Sequence, residues 1–205
     1  KYEKQGNGWV VVDKQGKKYF YGSGAQARHD DPNDSSRVYK WMLERVEDPN
    51  GNSINYFYSK DQGQIYPDYI TYTDGLAPTG IYKIVFQKTS RADVLDSYAT
   101  AFKVTTAYKI SQIDIQTLGN LSGKYVLNYT TGNNGIRSIL SSITETRYDK
   151  NNLATTMPAT SFGYTNSTGD LYTTNSLASI NDLFPSNYIN NGVVAGDING
   201  DSYAD

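Results

Sequence analysis

The stretch Trp41–Tyr58, W-M-L-E-R-V-E-D-P-N-G-N-S-I-N-Y-F-Y, leaves little freedom of local structure. Trp41, Leu43 and Arg45 alternate with Met42, Glu44 and Val46, and Ile54, Tyr56 and Tyr58 share one face of a second run. Alternation of period two marks a half-buried strand. Between the runs lies Asp48-Pro49-Asn50-Gly51-Asn52. Proline fixes φ at the start of a turn, and Asn-Gly tolerates the positive φ that a reversal needs. The stretch predicts a hairpin that pairs Trp41–Val46 with Ile54–Tyr58.

The same grammar recurs along the chain. Trp9-Val10-Val11-Val12, Asp13-Lys14-Gln15-Gly16 and Tyr19-Phe20-Tyr21-Gly22 read as a first hairpin. Ser23–Arg37 is polar and reads as a mobile loop. Tyr66–Tyr72 and Ile81–Lys88 are strands, and Ala92–Phe102 is the one stretch with some helical character. Tyr108–Leu118 and Lys124–Tyr129 form a hairpin across Gly119–Gly123, and Arg137–Tyr148 is a last long strand. Short strands with turns between them and no long helix predict an all-β antiparallel meander of hairpins, as a rolled sheet or a sandwich. The period is too loose for a solenoid. After Leu153 the texture turns to Thr, Ser and Asn. Asn152–Ser161 reads as an exit segment. The expected organisation is a β scaffold domain over 1–161 and a connector with the start of a second unit over 162–205.

Composition narrows the function. The chain of 205 residues has a net charge of −2, which gives no electrostatic footprint for nucleic acid. No apolar run approaches the roughly 20 residues of a membrane-spanning helix. Cysteine is absent, so redox logic says nothing of compartment. The first residue is Lys1, with no signal peptide, which reads as a mature product or an excised piece. The 19 tyrosines suit strands whose rings pack while their hydroxyls stay wet. Abundant Asn, Thr, Ser, Gly and Tyr have the texture of a secreted or surface protein.

Catalytic signatures are weak. The single histidine, His29, reads as a solvated loop residue, and no serine sits in a G-x-S-x-G setting. The carboxylates Glu44, Glu47 and Asp48, and the pair Asp93 and Asp96, read as solvated charges near turns rather than a glycosidase pair. Gly22-Ser23-Gly24-Ala25 lacks the helix and lysine of a phosphate loop. Arg91-x-Asp93 reads as a surface ion pair at a chain reversal. Asp48-x-Asn50-x-Asn52 has half a metal-ligand set, which its hairpin already explains.

The sharp chemical signal is terminal. Val193–Asp205 contains Asp197, Asn199, Asp201 and Asp205 at loop positions one, three, five and nine, with the Tyr203 carbonyl at seven. Ca²⁺ takes about six to eight oxygens, and this spacing wraps a loop around one ion. Ser202 stands where glycine favours the sharp turn, which weakens the expected affinity. The alternative is an Asp/Asn/Gly-rich turn without metal.

Beyond these readings, an ordered set of motifs resembles a known family. W-x-L-x-R-V-x-D-P-N-G-N-x-I-x-Y-x-Y (Trp41–Tyr58) is followed by Y-P-D-Y-I-x-Y (Tyr66–Tyr72) and V-F-Q-K-x-S-R-x-D (Val85–Asp93). Y-K-I-x-x-I-D-I (Tyr108–Ile115), Y-x-L-x-Y (Tyr125–Tyr129), R-S-x-L-x-S-I-T-E (Arg137–Glu145) and M-P-A-T-S-F-x-Y (Met157–Tyr164) complete it. The series resembles the N-terminal domain of the Salmonella virulence plasmid protein B type. That domain is shared with the B component of insecticidal toxin complexes and with rearrangement-hotspot-related proteins. The terminal G-D-I-N-G-D-S-Y-A-D is similar to a first calcium loop of the integrin-type propeller repeats in that family. Lys88 departs from the acidic residue common before the Arg-x-Asp.

The resemblance implies a non-enzymatic scaffold segment of a secreted or surface protein. It would form part of a shell that encloses or delivers a toxic effector carried elsewhere. Its partners would be the rest of the same polypeptide and toxin-complex components, with no nucleic acid and no membrane span in this segment. Two rival readings are a carbohydrate- or protein-binding β module, marked by a flat cluster of exposed rings near Trp41, and a hydrolase. A hydrolase would require convergent carboxylates in a cleft, or His29 buried beside an acid.

Overall fold

The computed structural model describes residues 1–72, 81–132 and 137–164. The strands are β1 (Tyr2–Gln5), β2 (Gly8–Val12), β3 (Lys18–Tyr21), β4 (Arg28–Asp31), β5 (Asp34–Trp41), β6 (Leu43–Glu47) and β7 (Ser53–Asp61). They continue as β8 (Gln64–Tyr72), β9 (Tyr82–Ser97), β10 (Val104–Thr117), β11 (Asn120–Thr131), β12 (Ser138–Tyr148), β13 (Ala154–Thr156) and β14 (Thr160–Ser161). Twelve form one open antiparallel sheet in the order β1-β2-β3-β6-β7-β8-β9-β10-β11-β12-β13, with β14 also on β12. The fold is the expected all-β meander, and of the two expected forms it is a single open sheet rather than a sandwich.

The turns follow one recipe. At Asp13–Lys17, Asp48–Asn52 and Asp149–Leu153 the first residue's carbonyl accepts the fourth residue's N–H, and its own N–H donates to the fifth residue's carbonyl. The fourth residue has positive φ: Gly16 at 81°, Gly51 at 87° and Asn152 at 62°. In each, the aspartate Oδ1 accepts the N–H groups two and four residues on, at 2.8–3.0 Å. This is a type I turn with a bulge residue, closed by an aspartate that mimics backbone. The central hairpin forms as expected, with Val46 opposite Ile54 and Arg45 opposite Asn55. Trp41 is not part of its first arm, because it ends β5 in a different sheet.

Four tyrosines tie down places where the pairing slips by a residue. The β9–β10 ladder shifts between Thr106 and Tyr108, and the Tyr66 hydroxyl accepts the Ala107 N–H at 3.0 Å. It shifts again between Ile110 and Gln112, where Tyr129 donates to the Ile110 carbonyl at 2.6 Å. Tyr58 donates to the Leu43 carbonyl beside the β3–β6 shift, and Tyr164 to the Leu140 carbonyl beside the β11–β12 shift, both at 2.7 Å. A bulge leaves backbone groups off the ladder and increases local twist. A hydroxyl supplies the missing partner, as a buried polar group requires.

Three sequence expectations are corrected. Ser23–Arg37 is not a loop: it holds a 3-10 turn (Ala25–Ala27), β4 and the first half of β5, and β4 and β5 pair as a separate small sheet. Its polar composition hid the strands because they carry buried charges rather than apolar alternation. Ala92–Phe102 has no helix; β9 runs on to Ser97, and the chain then turns at Tyr98–Ala101. Asn152–Ser161 does not leave the sheet but returns along β12 as β13 and β14.

Candidate functional site

Pairing registers sort the main sheet into two faces. Rows Val46–Ile54–Tyr72–Tyr82, Tyr56–Ile70–Ile84–Ile115 and Phe86–Ile113–Tyr125 run across the strands on one side. Rows Arg45–Asn55–Thr71–Lys83–Gln116 and Phe57–Tyr69–Val85–Asp114–Lys124–Thr146 run across the other. One face is therefore apolar and the other mixed and mostly polar. No large side chain among the described residues is fully buried, and Ile70, Ile84 and Ile115 are only half-covered. A globular sheet normally buries its apolar face against a second layer. Here the apolar rows stand with their rings and methyls part-exposed.

On the polar face Phe57 and Tyr69 stack with centroids 4.2 Å apart, and the Lys83 ammonium lies 3.9 Å from the Tyr69 centroid. Asp114, 7% exposed, accepts from Gln87 at 3.0 Å and from Gln112 at 2.6 Å. Arg91 and Asp93 form a forked pair inside β9, not at a chain reversal. Asp93 also accepts from the Ser138 N–H and hydroxyl at the start of β12, at 2.7 and 2.8 Å. The Arg91 hydrogen bond first, and then the Ser138 donors, hold its carboxyl well below the usual carboxylate range. That makes it a clamp across strands rather than a surface pair.

His29 is also corrected. It lies on β4, only 8% exposed, with Tyr39 and Phe102 edge-on to its ring at centroid distances of 5.6 Å. Its Nε2 donates to the Gly63 carbonyl at 2.7 Å in the β7–β8 turn. Burial lowers its pKa from the ordinary 6.5, the Gly63 bond opposing, with Lys40 and Lys60 adding to the fall and Asp30 resisting it. Asp30 is itself buried and paired with Lys60. Phe102 is one of four buried apolar residues among the described residues. The imidazole is thus the hub of a small core that docks the small sheet on the β7–β8 turn. Its contacts are a backbone carbonyl and two rings, with no nucleophile bonded to it among the described residues.

Trp41 does not present a flat binding platform. It meets Trp9 edge-on at 6.3 Å, and its indole N–H donates to the Asn7 carbonyl at 2.8 Å. An open groove between the β10–β11 turn and the end of β12 is lined by Leu118, Asn120, Tyr148 and the turn aspartate Asp149. It holds no pair of catalytic groups. The Asp48 turn carboxylate is occupied by Asn50 and Asn52 N–H groups, as the hairpin reading requires. The calcium loop expected at Asp197, Asn199, Asp201, Tyr203 and Asp205 lies outside the described residues.

Comparison with known proteins bears on this sheet. Residues 1–75 match the family described as Salmonella virulence plasmid 65kDa B protein, SpvB. The fold matches the Photorhabdus luminescens Tc holotoxin pore with a TM-score of 0.67, at 19% identity, over 77% of this chain and 10% of that one. It matches TcdB2-TccC3 with the same TM-score, at 18% identity, over 80% of this chain and 11% of that one. The chain thus shares a fold with a segment of these toxin chains and spans about a tenth of their length. No curated protein matches it.

Proposed function

We propose that this segment is a non-enzymatic wall of a secreted toxin-complex or surface protein, part of a shell that encloses or delivers a toxic effector carried elsewhere. The observation that carries the reading is the open sheet with one apolar face and no layer over it among the described residues. A free-standing domain would bury Ile70, Ile84 and Ile115, whereas a wall keeps its apolar face for neighbours. The fold shared with Tc toxin chains supports the same assignment, with the rest of a longer polypeptide and other toxin-complex components as the proposed partners. A protease experiment tests it in the polypeptide that carries this chain. The effector region should resist digestion in the assembled protein and become sensitive in Ile84→Asp with Ile115→Asp. Equal digestion with and without the substitutions contradicts the reading.

Calcium belongs to the same proposal. Asp197, Asn199, Asp201 and Asp205 with the Tyr203 carbonyl offer three carboxylates and two neutral oxygens, the donor set of a hard cation. Bound there, Ca²⁺ would relieve the repulsion of the three carboxylates and fix the loop. Isothermal titration should show one Ca²⁺ site that Asp197→Ala with Asp201→Ala abolishes; equal binding by both proteins removes the loop as the site.

A further inference from the structure

One cationic group on the small sheet has no use in the wall. Arg28 begins β4 and is half-buried, with its Nε and Nη1 buried and without a hydrogen-bond partner among the described residues. A guanidinium without an acceptor is costly, since burial strips its water and nothing replaces it. The other buried charges nearby are matched: Asp30 by Lys60 and Asp31 by Arg37. Arg28 lines a pocket of about 380 Å³ between the β1–β2 hairpin and β5. Lys4 brings a second cation to it, with no ion-pair partner among the described residues. Ser35 supplies a hydroxyl, and Val38 and Trp41 an apolar wall. The neighbouring carboxylate, Asp34, is exposed and accepts from the Ser36 N–H and hydroxyl at 3.0 and 2.6 Å.

We infer that the Arg28 pocket is a binding site for an oxoanion carried on a small organic or peptide body. The planar fork of an arginine matches the two oxygens of a carboxylate or phosphate, and Lys4 adds charge without geometry. The volume lies at the lower end of small-molecule sites, larger than a bare anion needs. Trp41 is held by its bond to Asn7 and backs onto Gly22, where a Cβ would fall 2.5 Å from its ring. The indole is therefore a fixed wall against which the body of the ligand packs.

The test uses the whole chain at pH 7 and constant ionic strength, titrated with phosphate, acetate and benzoate against chloride. Melting temperature and tryptophan fluorescence are the readouts, and Trp9 and Trp41 are the only tryptophans. At least one oxoanion should raise the melting temperature saturably and shift the fluorescence, because a ligand that binds only the folded state stabilises it. Benzoate above acetate assigns a carboxylate with an apolar body; phosphate above both assigns a phosphoryl group. Arg28→Met should fold at least as well without anion, since it removes an unpaired buried charge, and should bind at least about tenfold more weakly. Lys4→Gln, at the rim, should weaken binding without changing the anion-free melting temperature. No saturable gain over chloride overturns the site, and so does an equal gain in Arg28→Met.

Discussion

His29 shows how one side chain can be misjudged from its neighbours in sequence. A histidine among Arg28, Asp30 and Asp31 reads as solvated, yet the fold places it between Tyr39 and Phe102 with its N–H on Gly63. No local signal announces this, because the covering groups come from 34 and 73 positions away, at Gly63 and Phe102. The neutral ring is the buried form, and its folded pKa is lowered. Its contribution is whole above the ordinary value of 6.5. As pH falls below that value the unfolded chain takes the proton first, and the contribution drains until pH passes the lowered folded value. Melting temperature should fall between neutral pH and pH 5 and level off in His29→Gln; an equal fall in both proteins removes His29 as the cause. At the same scale, Tyr66→Phe keeps the ring but strands the Ala107 N–H, at a cost of about 1 kcal/mol or more by chemical denaturation. An unchanged stability would show that the bulge needs no hydroxyl.

Elements whose cause is local were legible. The central hairpin is written in alternation plus Asp-Pro-Asn-Gly, and both agree with the observed register of Val46 on Ile54. The same aspartate turn recurs at Asp13 and Asp149. What sequence could not give was the small sheet, whose strands are polar because buried ion pairs hold them, and the long β9. There Ala92–Phe102 suggested some helical character and Asp93 and Asp96 solvated charges, yet Asp93 is fixed by Arg91 and Ser138. The two-residue turn at Leu118-Gly119 is tighter than the expected Gly119–Gly123 loop because Leu118 itself takes positive φ, at 51°. Two glycines separate backbone strain from crowding. Gly51 has φ of 87° and open space around its Cβ position, so Gly51→Ala should cost about 1 kcal/mol. Gly63 has φ of 79° and a Cβ there would lie 2.4 Å from the Lys103 carbonyl, so Gly63→Ala should cost roughly 3 kcal/mol. Equal losses at the two sites would contradict the docking of the β7–β8 turn on Lys103.

At the scale of the molecule, the two faces decide the account. Alternation revealed that each strand has an apolar side, but only registers show that these sides line up from Val46 to Tyr125 without a covering layer among the described residues. The chain has no cysteine, so a single introduced thiol reports on one face alone. Lys83 and Ile84 are adjacent on β9 and point to opposite sides of the sheet. The most direct measurement is the rate of maleimide labelling of Lys83→Cys and Ile84→Cys within the assembled protein that carries this chain, read site by site by mass spectrometry. The account predicts rapid labelling at position 83 and labelling at least about tenfold slower at 84, with the difference abolished when the assembly is unfolded. Equal rates at the two positions in the intact assembly would contradict it.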